Sequence, residues 1–301
     1  MTTTNQQSGG EKGRDEGLKH EGLSQKSFNA DCKIPGVLMV DPENPSEPSN
    51  WSGGKKKTPP KSDKNIIKEG QIVTGISIKN PSSFSQSIQM QIISFEALNF
   101  ELNSVFPMPS DAKRALELFL GNSTSGETFE EMIEKENIPI ASLDNNAEVR
   151  RKRLLWSSLP AAYSSSLLAY LEDPVVKERL LNVIYREGTA SSGFADWHLW
   201  CDTRVNGKSN PDATVVINLK DLINLLTKEK WRVRQSESVL ELGPLTFQMK
   251  GSGGKGTAAY HSPQFNMSLS AVKKHYGDKG LLEMFEGSTY EALSKGGALD
   301  L

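Results

Sequence analysis

The chain has 301 residues, 36% of them hydrophobic, and its 35 Lys and Arg nearly balance its 37 Asp and Glu. It is therefore not the strongly basic kind of protein that coats nucleic acid by charge alone. Two cysteines, Cys32 and Cys201, are too few for a disulfide framework or a cysteine zinc site. The sequence has no apolar run of roughly 18 residues and no apolar signal peptide, so we predict an intracellular protein of the cytoplasm, nucleus or virion. It is expected neither to be secreted nor to have a transmembrane segment.

The first 65 residues are rich in Gly, Ser, Pro, Lys, Asp and Glu. Burial of such a segment cannot offset the entropy lost on ordering it, so residues 1–65 are predicted to form a disordered arm. A short apolar island over 34–40 interrupts this arm. The residues expected to make the docking contacts are Ile34, Val37, Leu38 and Val40. Two interpretations are open: the island is a docking segment that orders on a partner, or it is a strand of the chain's own sheet.

Residues 66–295 are predicted to form one globular domain, followed by a flexible tail over 296–301. Apolar and polar residues alternate over 70–78 and 88–92, which predicts two strands joined as a hairpin. The middle of the domain changes to helical spacing, with Asp173 as the expected cap of its last helix. The predicted helices cover 110–120, 127–136, 146–157, 160–171 and 174–186.

The last third of the chain returns to strand patterns. The predicted strands cover 195–205, 213–219, 231–234, 239–242 and 245–249, with short helices over 220–228, 270–276 and 281–293. This order predicts an α+β fold in which antiparallel sheet elements flank a helical middle, preceded by the disordered N-terminal arm.

Residues 196–202 hold the densest group of reactive side chains. On a regular strand His198 and Cys201 point to opposite faces, so they cannot act together as a base and a nucleophile. No other histidine has metal-ligand spacing to His198. We therefore predict a protein that is not an enzyme and has no catalytic, metal or cofactor site, with Cys201 in the core and His198 at the surface. An enzyme that uses His198, Cys201 and Asp202 is the least favoured alternative.

A glycine-rich run over 251–257 has the composition of a phosphate-binding loop. Gly256 separates Lys255 from Thr257, however, and no helical pattern follows, so the motif is incomplete. The run is therefore predicted to be a surface loop.

Two basic clusters stand out in this nearly neutral chain. Their members are Lys55, Lys56, Lys57, Arg150, Arg151, Lys152 and Arg153. Cations near the start of a helix are unfavourable with the helix dipole, which favours a binding partner for the second cluster. We predict that these clusters contact phosphates of nucleic acid, anionic lipid head groups or a nuclear import receptor. The alternative is a solvated charged surface.

The order of elements resembles that of matrix proteins of negative-strand RNA viruses, especially rhabdoviruses. The resemblance lies in the polar tail, the β-rich start, the strand-turn-strand over 195–219, the helix over 220–228 and the strands over 231–242. It covers about a third of the chain. The long helical middle and the absence of Pro-Pro-x-Tyr and Pro-Ser/Thr-Ala-Pro motifs depart from that pattern. The resemblance implies self-association, contact with the inner membrane leaflet through basic residues, and binding to a nucleocapsid.

We therefore predict a non-enzymatic interaction and assembly protein of the viral matrix type that links nucleocapsid and membrane and has no small-molecule substrate. The alternative is a nucleic-acid-binding viral capsid, nucleoprotein or movement-type protein. In that case Trp200 and Trp231 are the aromatic residues available for stacking on bases.

Overall fold

The computed structural model describes residues 4–42, 61–81, 83–139, 143–144, 153–188, 193–201, 213–250, 262–281, 283–286 and 288–300. The helices within them are α1 (Thr4–Asp31), α2 (Phe95–Asn103), α3 (Ser110–Leu120), α4 (Phe129–Lys135), α5 (Ala161–Glu172), α6 (Pro174–Asn182), α7 (Leu219–Leu226), α8 (Leu269–Tyr276) and α9 (Thr289–Lys295). The strands are β1 (Val37–Val40), β2 (Lys64–Lys68), β3 (Gln71–Lys79), β4 (Ile88–Ile92), β5 (Leu143–Asp144), β6 (Arg153–Leu154), β7 (Trp197–Cys201), β8 (Ala213–Asn218), β9 (Trp231–Val233), β10 (Leu240–Leu242), β11 (Leu245–Met249), β12 (Pro263–Met267) and β13 (Glu283–Glu286).

The predicted α+β class is confirmed, because helices accompany sheets whose strand pairs are mostly antiparallel. The chain divides into two compact units where the sequence analysis predicted one domain over 66–295. The first unit takes Met1–Ser87, Ala190–Leu222 and Ser268–Leu301, and the second takes Ile88–Thr189 and Ile223–Met267. Alternating patterns reveal strands but not which strands pair, so the sequence did not show this division.

The first unit is built on a six-stranded sheet in the order β1-β2-β3-β7-β8-β13. The β3–β7 pair is parallel, and the other pairs of this sheet are antiparallel. Helices α1 and α9 cover one side of it, where Phe28 and Tyr290 meet edge to face with ring centroids 5.7 Å apart. Phe28, Ile76, Leu199 and Leu293 belong to the core between these helices and the sheet.

The described part of the N-terminal arm differs from the predicted disorder over 1–65. Residues 4–31 form α1, and residues 37–40 form β1 on the edge of the sheet. Phe28 and Met39 are fully buried. These few apolar anchors are enough to order a polar segment that composition alone assigns to disorder.

The second unit contains the five-stranded sheet β4-β12-β11-β10-β9 and the two-stranded β5-β6. Phe247 and Phe265 stack on neighbouring strands of the larger sheet at 4.5 Å between centroids. The helices of the middle of the chain, α2 to α6, belong to this unit. Gly121 ends α3 with φ 64°, and the Asp173 side chain caps α6 by accepting hydrogen bonds from the first backbone amides of that helix, as the sequence predicted.

Three sequence expectations on element pairing and type are wrong. Strands β3 and β4 do not form a hairpin, since they belong to different sheets. Within the predicted helix over 146–157, the described residues form β6 and a 3₁₀ turn at Trp156–Ser158. The predicted helix over 281–293 is divided into β13 and α9, whose capping box starts at Ser288. Among the described residues, no helix is both long enough and apolar enough to cross a membrane.

Candidate functional site

The predicted docking segment lies on the chain's own sheet, which is the second of the two interpretations. β1 pairs antiparallel with β2, and Val37 and Met39 are buried against the core. The alternate residues, Leu38 and Val40, face the other side of the sheet, where Leu38 is 48% exposed. Ile34 precedes the strand and packs partly buried against the core. The apolar island therefore supplies both core and surface residues.

An apolar row crosses three strands on the outer side of this sheet. Leu38 is the cross-strand partner of Ile67, and Ile67 is the partner of Ile72. Leu38 and Ile72 are about half exposed, at 48% and 51%, and the adjacent Val73 is 40% exposed. Neighbouring exposed apolar side chains of this kind are typical of interaction surfaces.

A concavity of about 350 Å³ opens beside this row. Its lining residues are Gln25, Val40, Asp41, Asn65, Ile67, Gly70 and Ile72. The walls thus combine branched apolar side chains with carboxamide groups that can donate and accept hydrogen bonds.

The charged groups near the concavity are paired with each other. Lys64 is buried, forms an ion pair with Asp41 and donates a hydrogen bond to Gln25 Oε1 at 2.9 Å. Burial, assisted by the negative charge of Asp63, raises the pKa of Glu21 in α1 to about 7. The hydrogen bond from Lys64 to Gln25 is thus the polar contact of this group that joins α1 to the sheet, whereas the burial of Glu21 disfavours its charged form.

Helix α1 closes the outer edge of β1 through side-chain hydrogen bonds. The backbone N–H of Met39 donates to Asn29 Oδ1 at 2.8 Å, and Asn29 Nδ2 donates to the Met39 carbonyl at 3.0 Å. The N–H of Val37 donates to the Ile34 carbonyl at 3.2 Å within the preceding turn. A bare edge strand is open to pairing with other chains, and here the edge is covered.

The reactive cluster of the sequence analysis is buried inside the sheet. Cys201 is a core residue as predicted, and burial raises the pKa of its thiol to about 12. His198 is also fully buried, where the sequence predicted a surface position, because β7 is an interior strand between β3 and β8. Burial, with Lys79 and Lys61 nearby, holds the pKa of His198 well below its usual value. Both side chains are closed to solvent, and the raised pKa of Cys201 keeps its thiol protonated near neutral pH.

The predicted basic surface lies outside the residues that the structure describes, as does the glycine-rich run 251–257. Residues 55–57 and 150–152 are not described, and of Arg153 only the backbone of β6 is described. A basic group that the sequence analysis missed lies at the end of α8, where Lys273, Lys274 and Lys279 are exposed. Its sequence signal was the Lys273-Lys274-His275 run within the predicted helix over 270–276.

A second concavity, of about 550 Å³, lies at the start of α4 and carries no evident function. Ser125, Glu127, Glu131 and Lys135 contribute to its lining. Glu127 is bound by Lys135 and Ser125, and Glu131 closes the capping box of α4. Across the described ranges, no group of three His, Cys, Asp or Glu side chains is arranged to hold a metal ion.

The best-defined candidate site is thus the outer side of β1, β2 and β3 together with the covered edge of β1. The continuous apolar run over 37–40 contained the signal for it, but only the register with β2 and β3 shows that Leu38 and Ile72 share a row. No protein-family model matches this chain, and no curated protein matches it in sequence.

Proposed function

We propose that this chain is a non-enzymatic interaction and assembly protein of the viral matrix type. The observation that carries the proposal is the apolar row of Leu38, Ile67 and Ile72, in which Leu38 and Ile72 are about half exposed, beside a concavity with partly apolar walls. Burial of exposed apolar side chains against a partner lowers the free energy of the complex. Cys201 and His198, two of the residues named for the enzyme alternative, are buried, which supports a function that does not use them.

The proposed contact with a membrane is supported by the basic end of α8. Lys273, Lys274 and Lys279 are exposed within two turns of one another, and a lysine near an anionic leaflet contributes about 1 kcal/mol of attraction. The clusters Lys55–Lys57 and Arg150–Arg153 are proposed as further contacts to lipid or nucleocapsid on the basis of sequence alone.

The two tryptophans that could stack on bases in the nucleic-acid-binding alternative are buried. Trp200 is fully buried and Trp231 is 6% exposed, so neither ring can stack on a base. Contact with the phosphate backbone is the form of this alternative that stays open, because Lys228, Lys230 and Arg232 are exposed in the second unit.

Sedimentation velocity over a concentration series, at low and physiological salt and with or without single-stranded RNA, tests the proposal. We expect the chain to form oligomers without RNA, and Ile72→Lys to weaken them because it charges the apolar row. The matched control is Val175→Lys in the second unit, since Val175 is 59% exposed but lies outside the row. A monomer under every condition would contradict the assembly function, and complexes that require RNA would favour the alternative.

Flotation with vesicles that contain phosphatidylserine tests the proposed contact with a membrane. The double substitution Lys273→Ala and Lys274→Ala should reduce binding several-fold, with a loss of salt dependence. Lys228→Ala with Lys230→Ala is the matched control, because it removes the same charge from exposed positions of the second unit. Equal binding of both double variants and the unchanged chain would remove α8 from the proposal.

A further inference from the structure

The cover on the β1 edge imitates a neighbouring strand. Asn29 accepts from the Met39 N–H and donates to the Met39 carbonyl, at 2.8 and 3.0 Å. Gln25 Nε2 donates to the same carbonyl at 3.1 Å. In an antiparallel sheet, a hydrogen-bonded residue pair exchanges the same two bonds through its peptide groups. A carboxamide has the same donor and acceptor as a peptide group, so a strand can replace Asn29 bond for bond.

The helix that supplies this cover is weakly held. Its glycines, each of which disfavours a helix relative to alanine, are Gly9, Gly10, Gly13, Gly17 and Gly22. Among its residues from 17 to 31, three are buried: His20, Ser24 and Phe28. Both ring nitrogens of the fully buried His20 lack a hydrogen-bond partner within the described chain. Burial of these unsatisfied nitrogens is unfavourable and lowers the net stability of the docked α1.

The exposed β1 edge would be self-complementary. If two copies of β1 pair antiparallel about Met39, the two Met39 residues exchange both backbone hydrogen bonds. Leu38 of one copy then lies opposite Val40 of the other, and both belong to the outer side of the sheet. Cross-strand apolar pairs of this kind stabilise a sheet, and a two-fold axis repeats the contact. The apolar rows of the two copies become one continuous surface.

We propose that α1 is a removable cover of the β1 edge, and that its release lets β1 pair antiparallel with β1 of a second copy of this chain. The occupant is a second copy because the edge matches itself in both hydrogen bonding and apolar contact. This inference rests on the proposed function, since both invoke self-association, and it adds the contact and its regulation.

The test compares full-length variants by sedimentation velocity and by hydrogen exchange of the peptide that contains Met39. Asn29→Ala removes two of the three hydrogen bonds that α1 makes to Met39, so we expect faster exchange at Met39 in dilute protein and a dimer dissociation constant roughly tenfold lower. Gly17→Ala with Gly22→Ala strengthens α1, since a Cβ meets no atom within 4 Å at either position. That variant should raise the dissociation constant roughly tenfold.

Two further variants make the outcome specific to β1. Lys26→Ala is the matched control, because Lys26 is exposed on the same helix and makes no hydrogen bond or ion pair within the described residues. Leu38→Lys, added to Asn29→Ala, places a cation opposite Val40 of the other copy and should restore the monomer.

The inference is overturned if Asn29→Ala leaves either the exchange at Met39 or the dissociation constant unchanged. It is also overturned if Leu38→Lys fails to reverse the effect, or if the glycine double variant associates like the unchanged chain. If Ile72→Lys weakens the oligomers but none of the α1 variants alters them, the proposed function stands and the role of α1 as a removable cover is refuted. A chain that stays monomeric with α1 released would contradict both.

Discussion

Lys177 and Glu172 form a buried ion pair in the second unit, with Lys177 Nζ 2.6 Å from Glu172 Oε2 and the lysine side chain 5% exposed. The other carboxylate oxygen of Glu172 accepts a hydrogen bond from the backbone N–H of Trp231. Lys177 also donates to the Glu229 carbonyl at 2.8 Å. The pair therefore joins the junction of α5 and α6 to the start of β9.

Glu172→Gln is expected to lower the free energy of unfolding of the second unit by about 2 kcal/mol. A glutamine keeps an acceptor for Trp231 but leaves the buried ammonium of Lys177 without its counter-charge, and one-third exposure of Glu172 limits the loss. Urea unfolding followed by tryptophan fluorescence measures the change. Glu178→Gln is the control, because that exposed glutamate lies beside Lys177 on α6. Equal midpoints for the two variants would show that the pair is not stabilising.

Arg114 binds two glutamates around α3 and α4, and Lys135 shares one of them. Its guanidinium contacts Glu127 at 2.9 Å and Glu136 at 2.8 Å, and Lys135 contacts the other oxygen of Glu127 at 3.0 Å. Hydrogen bonds from Lys135 and Ser125, with Arg114 beside them, hold the pKa of Glu127 at about 2. Because the folded pKa lies below the unfolded value of 4.5, this contribution to stability is present above pH 4.5 and is lost as pH falls toward 2.

We therefore expect Glu127→Gln to lower Tm at pH 6 and to have a progressively smaller effect between pH 4.5 and pH 2. Thermal unfolding followed by circular dichroism at intervals of half a pH unit measures the difference. Glu130→Gln, at an exposed position of α4, should change Tm little at any pH. A Tm difference for Glu127→Gln that stays constant down to pH 2 would contradict the assignment.

The sequence was sufficient for elements whose signal is local. Gly121 stops α3 in a left-handed conformation, and Asp173 caps α6, because a glycine or a capping carboxylate acts within a few residues of its own position. β4 was also predicted, but its sheet was not, since pairing depends on residues as distant as Phe265. Local patterns were therefore sufficient to predict these elements and the fold class. The division into two units depends on pairing between strands that are far apart in the sequence.

The candidate site was predicted in part. The apolar island drew attention to Leu38, but Ile72 enters the site only through the register of β1, β2 and β3. α1 was missed because its glycines and polar residues predict disorder, and its order depends on tertiary contacts of Phe28 and Asn29. His198 was placed at the surface because an alternating pattern cannot show that both faces of an interior strand are covered.

Gly75 on β3 is required by a close approach of the chain at Phe194. A Cβ at Gly75 would lie 1.9 Å from the Phe194 carbonyl oxygen, and Asp196 N–H donates to the Gly75 carbonyl at 2.8 Å. Gly75→Ala must push two backbone segments apart, so we expect a loss of about 3 kcal/mol in the free energy of unfolding of the first unit. Gly22→Ala, where a Cβ meets nothing, should instead gain up to about 1 kcal/mol. Chemical denaturation measures both, and a Gly75→Ala variant as stable as the unchanged chain would refute this contact.

The two cysteines should differ strongly in reactivity. Cys201 is fully buried and burial raises its thiol pKa to about 12, so at pH 8 about one thiol in ten thousand is ionised. Cys32 is partly exposed beyond the end of α1. Iodoacetamide at pH 8 should therefore label Cys32 within minutes in the folded chain and Cys201 only after denaturation, as peptide mass spectrometry can show. Cys32→Ser isolates the buried thiol, and rapid native labelling of Cys201 in that variant would restore this residue as a candidate nucleophile.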